Sequence, residues 1–245
     1  IGEIFVNNLH IVNMLFLSVA CKVTIKYCNF AALAAFNSIG NEKELDKLVE
    51  IYKYIGENTD KLELCASHGI CTKEALQKLV DAGVLTYHHN LESSRRFYPN
   101  VCTSHTYDDR INTIKNAKAV GLDVCSGGIF GLGETIEDRI DMALDLRELE
   151  ICSVPINVLT PIPGTPFENN EAVEPLEILK TISIYRFIMP ETYLRYGGGR
   201  IKLGDYVKTG LRCGINSALT GNFLTTTGTT IEKDKKMIEE LGYEL

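Results

Sequence analysis

The sequence predicts an α/β fold in which parallel strands alternate with helices, and a (β/α) barrel of the TIM type is the leading candidate. From residue 42 onward, helix-like and strand-like segments alternate repeatedly without a linker. The chain has 245 residues, of which 45% are hydrophobic and 23% are charged, as expected of a globular domain of this size. A doubly wound open sheet is the alternative, and in both folds ligands bind at the carboxyl ends of the strands.

The helices are predicted from apolar stripes at helical spacing and from residues that cap helix ends. Thr106 with Asp109, and Thr135 with Asp138, have the spacing of a capping box at the start of a helix. Pro175 suits the first turn of another helix. On these signals we predict helices over 42–55, 72–82, 106–120, 135–149, 175–189 and 231–241.

The strands are predicted from short apolar runs between these helices. The stretch 11–20 is interpreted as a buried first strand, and 21–40 is irregular because two apolar runs follow each other with no room for a helix between them. The other predicted strands are 62–67, 84–91, 122–130, 153–159, 192–196 and 217–224. No internal boundary is evident, so we expect one domain over 1–245, with 1–40 atypical or truncated and the barrel therefore incomplete near the N-terminus.

Charge and cysteine usage limit the partners and the compartment. The chain carries 25 basic and 32 acidic side chains and has no Lys/Arg stripe, which argues against nucleic acid as a partner. The stretch 11–20 could be part of a signal sequence ending at Cys21, but no Lys or Arg precedes it, and it is too short to span a membrane. Eight cysteines in a chain of this length do not predict a secreted disulfide framework. We therefore expect a cytoplasmic protein without membrane contact, whose thiols are available as metal or cluster ligands.

Polar side chains occur on strands that would otherwise be apolar. Cys65, Cys125 and Arg195 lie within three predicted strands, and 88–92 adds polar residues to a fourth. Because branched apolar residues normally fill a barrel interior, these groups predict a lined pocket. For any single cysteine, the alternative is a small buried hydrophobic residue. The glycine-rich segment 127–134 lets a ligand approach the backbone, or is simply a tight turn.

Several blocks of sequence, taken in order, closely resemble the biotin synthase family of the radical S-adenosylmethionine (SAM) superfamily. The resemblance covers residues 62–245. Its blocks are 87–94 (YHHNLESS), 106–110 (TYDDR), 124–135 (VCSGGIFGLGET), 155–159 (PINVL), 163–166 (PGTP), 187–190 (FIMP), 193–200 and 219–227.

The resemblance implies an enzyme that inserts sulfur into dethiobiotin to form biotin. In this family a [4Fe–4S] cluster reductively cleaves SAM, the resulting radical takes hydrogen from dethiobiotin, and an auxiliary [2Fe–2S] cluster supplies sulfur. Such C–H bonds lie beyond side-chain acid–base chemistry, so a cofactor must supply the radical. The resemblance also implies a reducing electron-donor protein and a homodimer, and it assigns no side chain as catalytic.

The resemblance further assigns binding residues. Cys65, Cys125 and Arg195 match ligands of the auxiliary [2Fe–2S] cluster. The positions that match SAM-binding residues are Asn90, Glu92 and Arg110, together with a turn beside the adenine that contains Gly127, Ile129, Gly131 and Glu134. Asn157 matches an amide that faces the substrate.

The chain departs from the family at the radical-cluster loop. Cys21 and Cys28 match the outer thiolates of the [4Fe–4S] site, but Ile25 occupies the place of the middle cysteine and cannot ligate iron. A fourth auxiliary ligand, a cysteine on the second strand, has no counterpart between residues 31 and 36, and His88 stands where many members have asparagine. The alternative function is therefore a truncated or non-catalytic relative that binds SAM or dethiobiotin without radical chemistry.

Overall fold

Nine strands form one sheet that curls round into a barrel with helices outside it. This computed structural model describes residues 10–16, 27–34, 42–59, 62–221 and 229–243, and for 10–16 and 27–34 it describes only the backbone. The strands are β1 (His10–Phe16), β2 (Tyr27–Ala34), β3 (Leu62–Ser67), β4 (Val84–His88), β5 (Asp123–Cys125), β6 (Gly128–Phe130), β7 (Ser153–Val158), β8 (Tyr193–Tyr196) and β9 (Ser217–Thr220). The helices are α1 (Glu42–Asn58), α2 (Lys73–Asp81), α3 (Tyr107–Ala119), α4 (Ile136–Glu148), α5 (Pro175–Ile188), α6 (Val207–Cys213) and α7 (Ile231–Glu240).

The strand order is β5-β4-β3-β2-β1-β9-β8-β7-β6, and β5 also pairs with β7 through Cys125 and Ser153. This extra pairing joins β5, at one end of the order, to β7, which is next to the other end, and it closes the sheet as a barrel requires and an open doubly wound sheet does not. The pairings among β2 to β9 are parallel, whereas β1 is antiparallel to both β2 and β9. The predicted barrel, incomplete near the N-terminus, is confirmed, and the irregularity lies at β1.

The helix starts follow the predicted capping chemistry. The Thr106 N–H donates to Asp109 Oδ2 at 2.8 Å, and the Asp109 N–H donates to Thr106 Oγ1 at 3.2 Å. The same reciprocal pair joins Thr135 and Asp138 at the start of α4, and Pro175 is the first residue of α5. Each box satisfies N–H groups that have no partner within the helix.

One predicted strand is divided in the structure, and one helical region was not predicted. The strand predicted over 122–130 is two strands, β5 and β6. They are separated at Gly127, where a Cβ would overlap the backbone oxygen of Pro155 on β7. A 3₁₀ segment (Arg200–Tyr206) and α6 were not predicted, because glycines such as Gly204, at φ +51°, interrupt the helical pattern there. The predicted strands 11–20 and 217–224 extend beyond the described residues at 17–20 and 222–224.

The core lies between the barrel and its helices and includes several large aromatic side chains. The largest fully buried side chains are Tyr52, Tyr87, Tyr98, Tyr185, Tyr196 and Phe130. Burying an apolar side chain of this size contributes about 1.5–3 kcal/mol, so these contacts fix the helices against the strands. Across the described ranges, no helix has both the length and the apolar character needed to cross a membrane.

Candidate functional site

A thiol and a guanidinium meet inside the barrel although 70 residues separate them in the sequence. Arg195 Nη2 donates a hydrogen bond to Cys125 Sγ at 2.6 Å, and both side chains are buried. Cys125 ends β5 and Arg195 lies on β8, so the Arg195 side chain reaches past β7, which lies between them in the sheet. Two of the predicted cluster ligands are therefore in direct contact.

The charge of Arg195 keeps the Cys125 thiol acidic. Burial alone would raise the pKa of Cys125, but the Arg195 charge, the charge of His88 and a hydrogen bond from His88 lower the pKa to about 6. Burial, together with the charge of Cys125, raises the pKa of Cys65 to about 12, although the charge of Arg195 opposes the rise. Cys65, Cys125 and Arg195 thus lie within electrostatic range of one another, and Cys125 carries the thiolate.

The chemistry of this donor set fits an iron–sulfur cluster. Thiolates are soft ligands that bind such clusters. Among the residues that the structure describes, no group of three or more His, Cys, Asp or Glu side chains is arranged to hold a metal ion. On β2, the backbone partner of Cys65 is Ala32. The contact of His88 Nδ1 with Cys125 Sγ, at 3.2 Å, is an additional feature of this site.

Three of the predicted SAM-binding residues lie together near the carboxyl ends of β4 and β5. These residues, Asn90, Glu92 and Arg110, form a charged site that we call the cradle. Arg110, on α3, donates from Nη1 to the Asn90 backbone oxygen at 2.7 Å and from Nε to the Tyr98 hydroxyl at 2.5 Å. Arg110 Nη1 also lies 3.7 Å from Glu92 Oε1. The Asn90 side-chain oxygen accepts a hydrogen bond from the Gly127 N–H at 3.1 Å. The predicted SAM-binding residues from three separate segments are therefore adjacent.

Glu92 occupies an unusual backbone position in this cradle. Its φ is +68°, in the left-handed region that most residues avoid. The Ile129 N–H donates to its backbone oxygen at 3.0 Å, and Glu92 forms an isolated parallel bridge with Gly128. Burial raises the pKa of the Glu92 carboxyl, and the charge of Arg110 opposes that rise. A strained residue held beside a cation is typical of a binding site.

The buried carboxylate of Glu134 is hydrogen-bonded to the backbone of the glycine-rich turn. Both of its carboxylate oxygens accept from the Gly131 N–H, at 2.9 and 3.1 Å, and Oε1 pairs with Arg139 Nε at 2.7 Å. Gly131 and Gly133 have φ values of +103° and +105°, which favour glycine. The carboxylate therefore fixes the shape of the turn, and its oxygens are bonded within the protein.

Asn157, the predicted substrate-facing amide, is bonded to backbone at both ends. Its Nδ2 donates to the Gly128 oxygen at 3.1 Å, and its Oδ1 accepts from the Gly198 N–H at 2.8 Å. Asn157 thus joins the ends of β6, β7 and β8.

Most of the predicted radical-cluster loop lies outside the residues that the structure describes. Cys21 and Ile25 lie outside the described residues, and Cys28 is described only through the backbone of β2, where it pairs with Met14. One contributor that the sequence did not reveal is Tyr98, which holds Arg110 and lies beneath its guanidinium, 5.5 Å from the ring centroid. Tyr98 belongs to a short 3₁₀ segment (Tyr98–Asn100) without periodic pattern, so no sequence signal pointed to it.

Comparison with known proteins shows the family. Residues 24–146 match the Radical SAM superfamily, and residues 155–244 match the Biotin and Thiamin Synthesis associated domain. Biotin synthase of Fusobacterium nucleatum subsp. nucleatum is 91% identical over 206 residues, which is 84% of this chain and 57% of that protein. Biotin synthase of Acetivibrio thermocellus is 48% identical over 216 residues, which is 88% of this chain and 67% of that protein.

Solved structures agree on the fold. The crystal structure of methylornithine synthase (PylB) has a TM-score of 0.72 at 21% identity and covers 88% of this chain and 68% of that chain. HydG, a maturase of the [FeFe]-hydrogenase, has a TM-score of 0.71 at 18% identity and covers 87% of this chain and 52% of that chain. The present chain spans 57% to 67% of the length of the two curated relatives described above. Membership of the superfamily implies SAM and a [4Fe–4S] cluster as cofactors. The chain belongs to the biotin synthase family of the radical SAM superfamily.

Proposed function

We propose that this chain acts as a biotin synthase, which inserts sulfur into dethiobiotin. The observation that carries the proposal is the 2.6 Å contact between Arg195 and Cys125, with Cys65 within electrostatic range. A buried guanidinium against a thiolate is an uncommon arrangement, and it agrees with the ligand set that the family resemblance assigns to an auxiliary [2Fe–2S] cluster.

The residues of the chain bind and orient the cofactors. When bound, SAM and the clusters supply the one-electron chemistry and the sulfur atom. Arg110 provides a planar cation for the SAM carboxylate, and Glu92 provides an acceptor for ribose hydroxyls. The turn fixed by Glu134 leaves glycine backbone open to the adenine. Burial of Cys125 and Arg195 keeps water from the auxiliary site.

The radical cluster is the part of the site that Ile25 weakens. Cys21 and Cys28 supply two thiolates where the family uses three, so we propose that the [4Fe–4S] cluster assembles less completely in this chain than in a variant with Ile25→Cys. Family membership also leads us to propose a single domain over 1–245, a homodimer and an electron-donor protein as partner. A cytoplasmic setting would keep the ligand thiols reduced.

Anaerobic reconstitution of the full chain with iron and sulfide tests the function. Iron and sulfide are counted, EPR spectra of the reduced protein are recorded with and without SAM, and conversion of dethiobiotin is measured. We expect an EPR signal that changes with SAM, and a larger signal and more bound iron in the Ile25→Cys variant. A chain that takes up no cluster in either form, or that holds a cluster indifferent to SAM in both, would refute the proposal.

A further inference from the structure

The auxiliary site, as assigned under the proposed function, lacks one ligand. A [2Fe–2S] cluster takes four protein ligands, and Cys65, Cys125 and Arg195 supply three. The β2 residue in register with Cys65 is Ala32, and an alanine has no donor atom. Another side chain must complete the set if the cluster is to be held by the protein alone.

His88 is placed to do so. It is the last residue of β4, the strand between β3 and β5 that carry the two cysteines. Thr86 pairs with Cys65 on one side, and His88 pairs with Cys125 on the other. Because alternate residues of a strand face the same side, His88 shares the face of Thr86, the residue that pairs with Cys65.

The imidazole and the thiolate are close enough for both to bind one metal ion after a small adjustment. His88 Nδ1 lies 3.2 Å from Cys125 Sγ. Ligands at bond lengths of about 2.0 and 2.3 Å around a tetrahedral ion lie roughly 3.5 Å apart. His88 is only partly buried, so its ring has room to adjust by a few tenths of an ångström.

We propose that His88 Nδ1 is the fourth ligand of the auxiliary cluster, which is then held by two sulfur and two nitrogen donors. Imidazole ligands are established for [2Fe–2S] centres in general, where two histidines replace two cysteines on one iron and raise the reduction potential. The inference rests on the proposed function, because it presupposes a cluster at Cys65, Cys125 and Arg195. It assigns to this chain a ligand that compensates for Ala32.

The direct test is pulsed EPR of the reconstituted, reduced full chain grown with ¹⁵N-labelled histidine. We expect a strong hyperfine coupling from a histidine nitrogen in the unsubstituted chain and in the control His105→Gln, whose histidine is hydrogen-bonded to Cys102 and Ser104 elsewhere. The coupling should be absent in His88→Ala, and iron bound at this site should fall severalfold. Cys125→Ser gives the blank for iron that is not bound at this site.

A rescue variant separates ligation from general damage to the barrel. The double variant Ala32→Cys/His88→Ala should regain the cluster, with a lower reduction potential than the unsubstituted chain because a thiolate replaces the imidazole. Full occupancy in His88→Ala alone, or only the weak coupling of a hydrogen-bonded imidazole in the unsubstituted chain, would overturn the assignment of His88. If the Ala32→Cys variant takes up the cluster and the unsubstituted chain does not, the assignment of His88 as a ligand is refuted. The auxiliary site of the proposed function then stands. If neither takes it up, that site itself fails, and the assignment of His88 fails with it.

Discussion

Replacing Arg110 by alanine should weaken SAM binding by between about tenfold and about a hundredfold. The guanidinium is only 15% exposed and is held in place by the Asn90 backbone oxygen and the Tyr98 hydroxyl. A hydrogen bond to a charged group in such a setting contributes about 1.5–3 kcal/mol, and about 1.4 kcal/mol corresponds to a factor of ten in affinity. Arg110→Lys should fall between the two, because lysine keeps the charge but cannot form the planar two-pronged contact.

The measurement is calorimetry of SAM binding to the anaerobically reconstituted chain. Urea unfolding is run in parallel, because loss of the Tyr98 and Asn90 contacts should also lower the free energy of unfolding by about 1–3 kcal/mol. Arg95→Ala is the matched control. That arginine is 55% exposed and pairs with Asp108 at the surface, an interaction of about 0–1 kcal/mol, so its removal should leave SAM affinity unchanged. A folded Arg110→Ala chain that binds SAM as tightly as the unsubstituted chain would show that the cradle has been misassigned.

Three further substitutions test the packing and hydrogen bonds that support the site. Gly128→Ala should lower the free energy of unfolding by about 1–3 kcal/mol, because its Cβ would lie 2.6 Å from the Glu92 backbone oxygen and 2.5 Å from Met142 Sδ; urea titration measures this, and an unchanged midpoint would contradict the packing. Glu134→Gln should lower the free energy of unfolding by about 1–3 kcal/mol, because it removes one of the two carboxylates that pair with buried Arg139, while Glu177 stays 2.6 Å from Nη1; thermal unfolding against the surface control Glu150→Gln checks it. Burial opposes ionisation of Asp138, but hydrogen bonds lower its pKa from 3.8 to about 2. The folded state therefore gains about 2 kcal/mol above pH 4, which is lost as the pH falls towards 2. In Asp138→Asn, stability followed by circular dichroism should lack this acid-dependent part.

The parts of the fold that were predicted depend on short-range signals. The capping boxes at Thr106 and Thr135 join residues three apart, so the sequence contains the whole interaction. The single strand predicted over 122–130 is interrupted at Gly127, where the chain passes close to Pro155 on a neighbouring strand, a contact that the local sequence does not reveal. The helical segment before Cys213 was missed because glycines interrupt its pattern and tertiary contacts maintain it.

The site could be predicted as a list of residues but not as an arrangement. Family motifs pointed to Cys125 and Arg195, yet nothing in their spacing specifies a contact that reaches past β7 from β8 to β5. The role of Tyr98 beside Arg110 depends on how α3 packs over the loop after β4, which is a tertiary property. Curvature of the sheet brings such residues together, and curvature leaves no local pattern in the sequence.

The hydrogen bonds of the Asn157 amide bear on which side chains of the site are free to recognise a ligand. Both polar ends of Asn157 are bonded to backbone at Gly128 and Gly198. Turning that amide to a ligand would leave buried backbone groups unpaired, at a cost of about 1–3 kcal/mol. Glu92 and Arg110 are 3.7 Å apart and 20% and 15% exposed, so their charges can reach a ligand without breaking the frame. We therefore expect recognition to rest on this charged pair, and we propose that Asn157 sets the positions of the glycine backbones on which the ligand would lie.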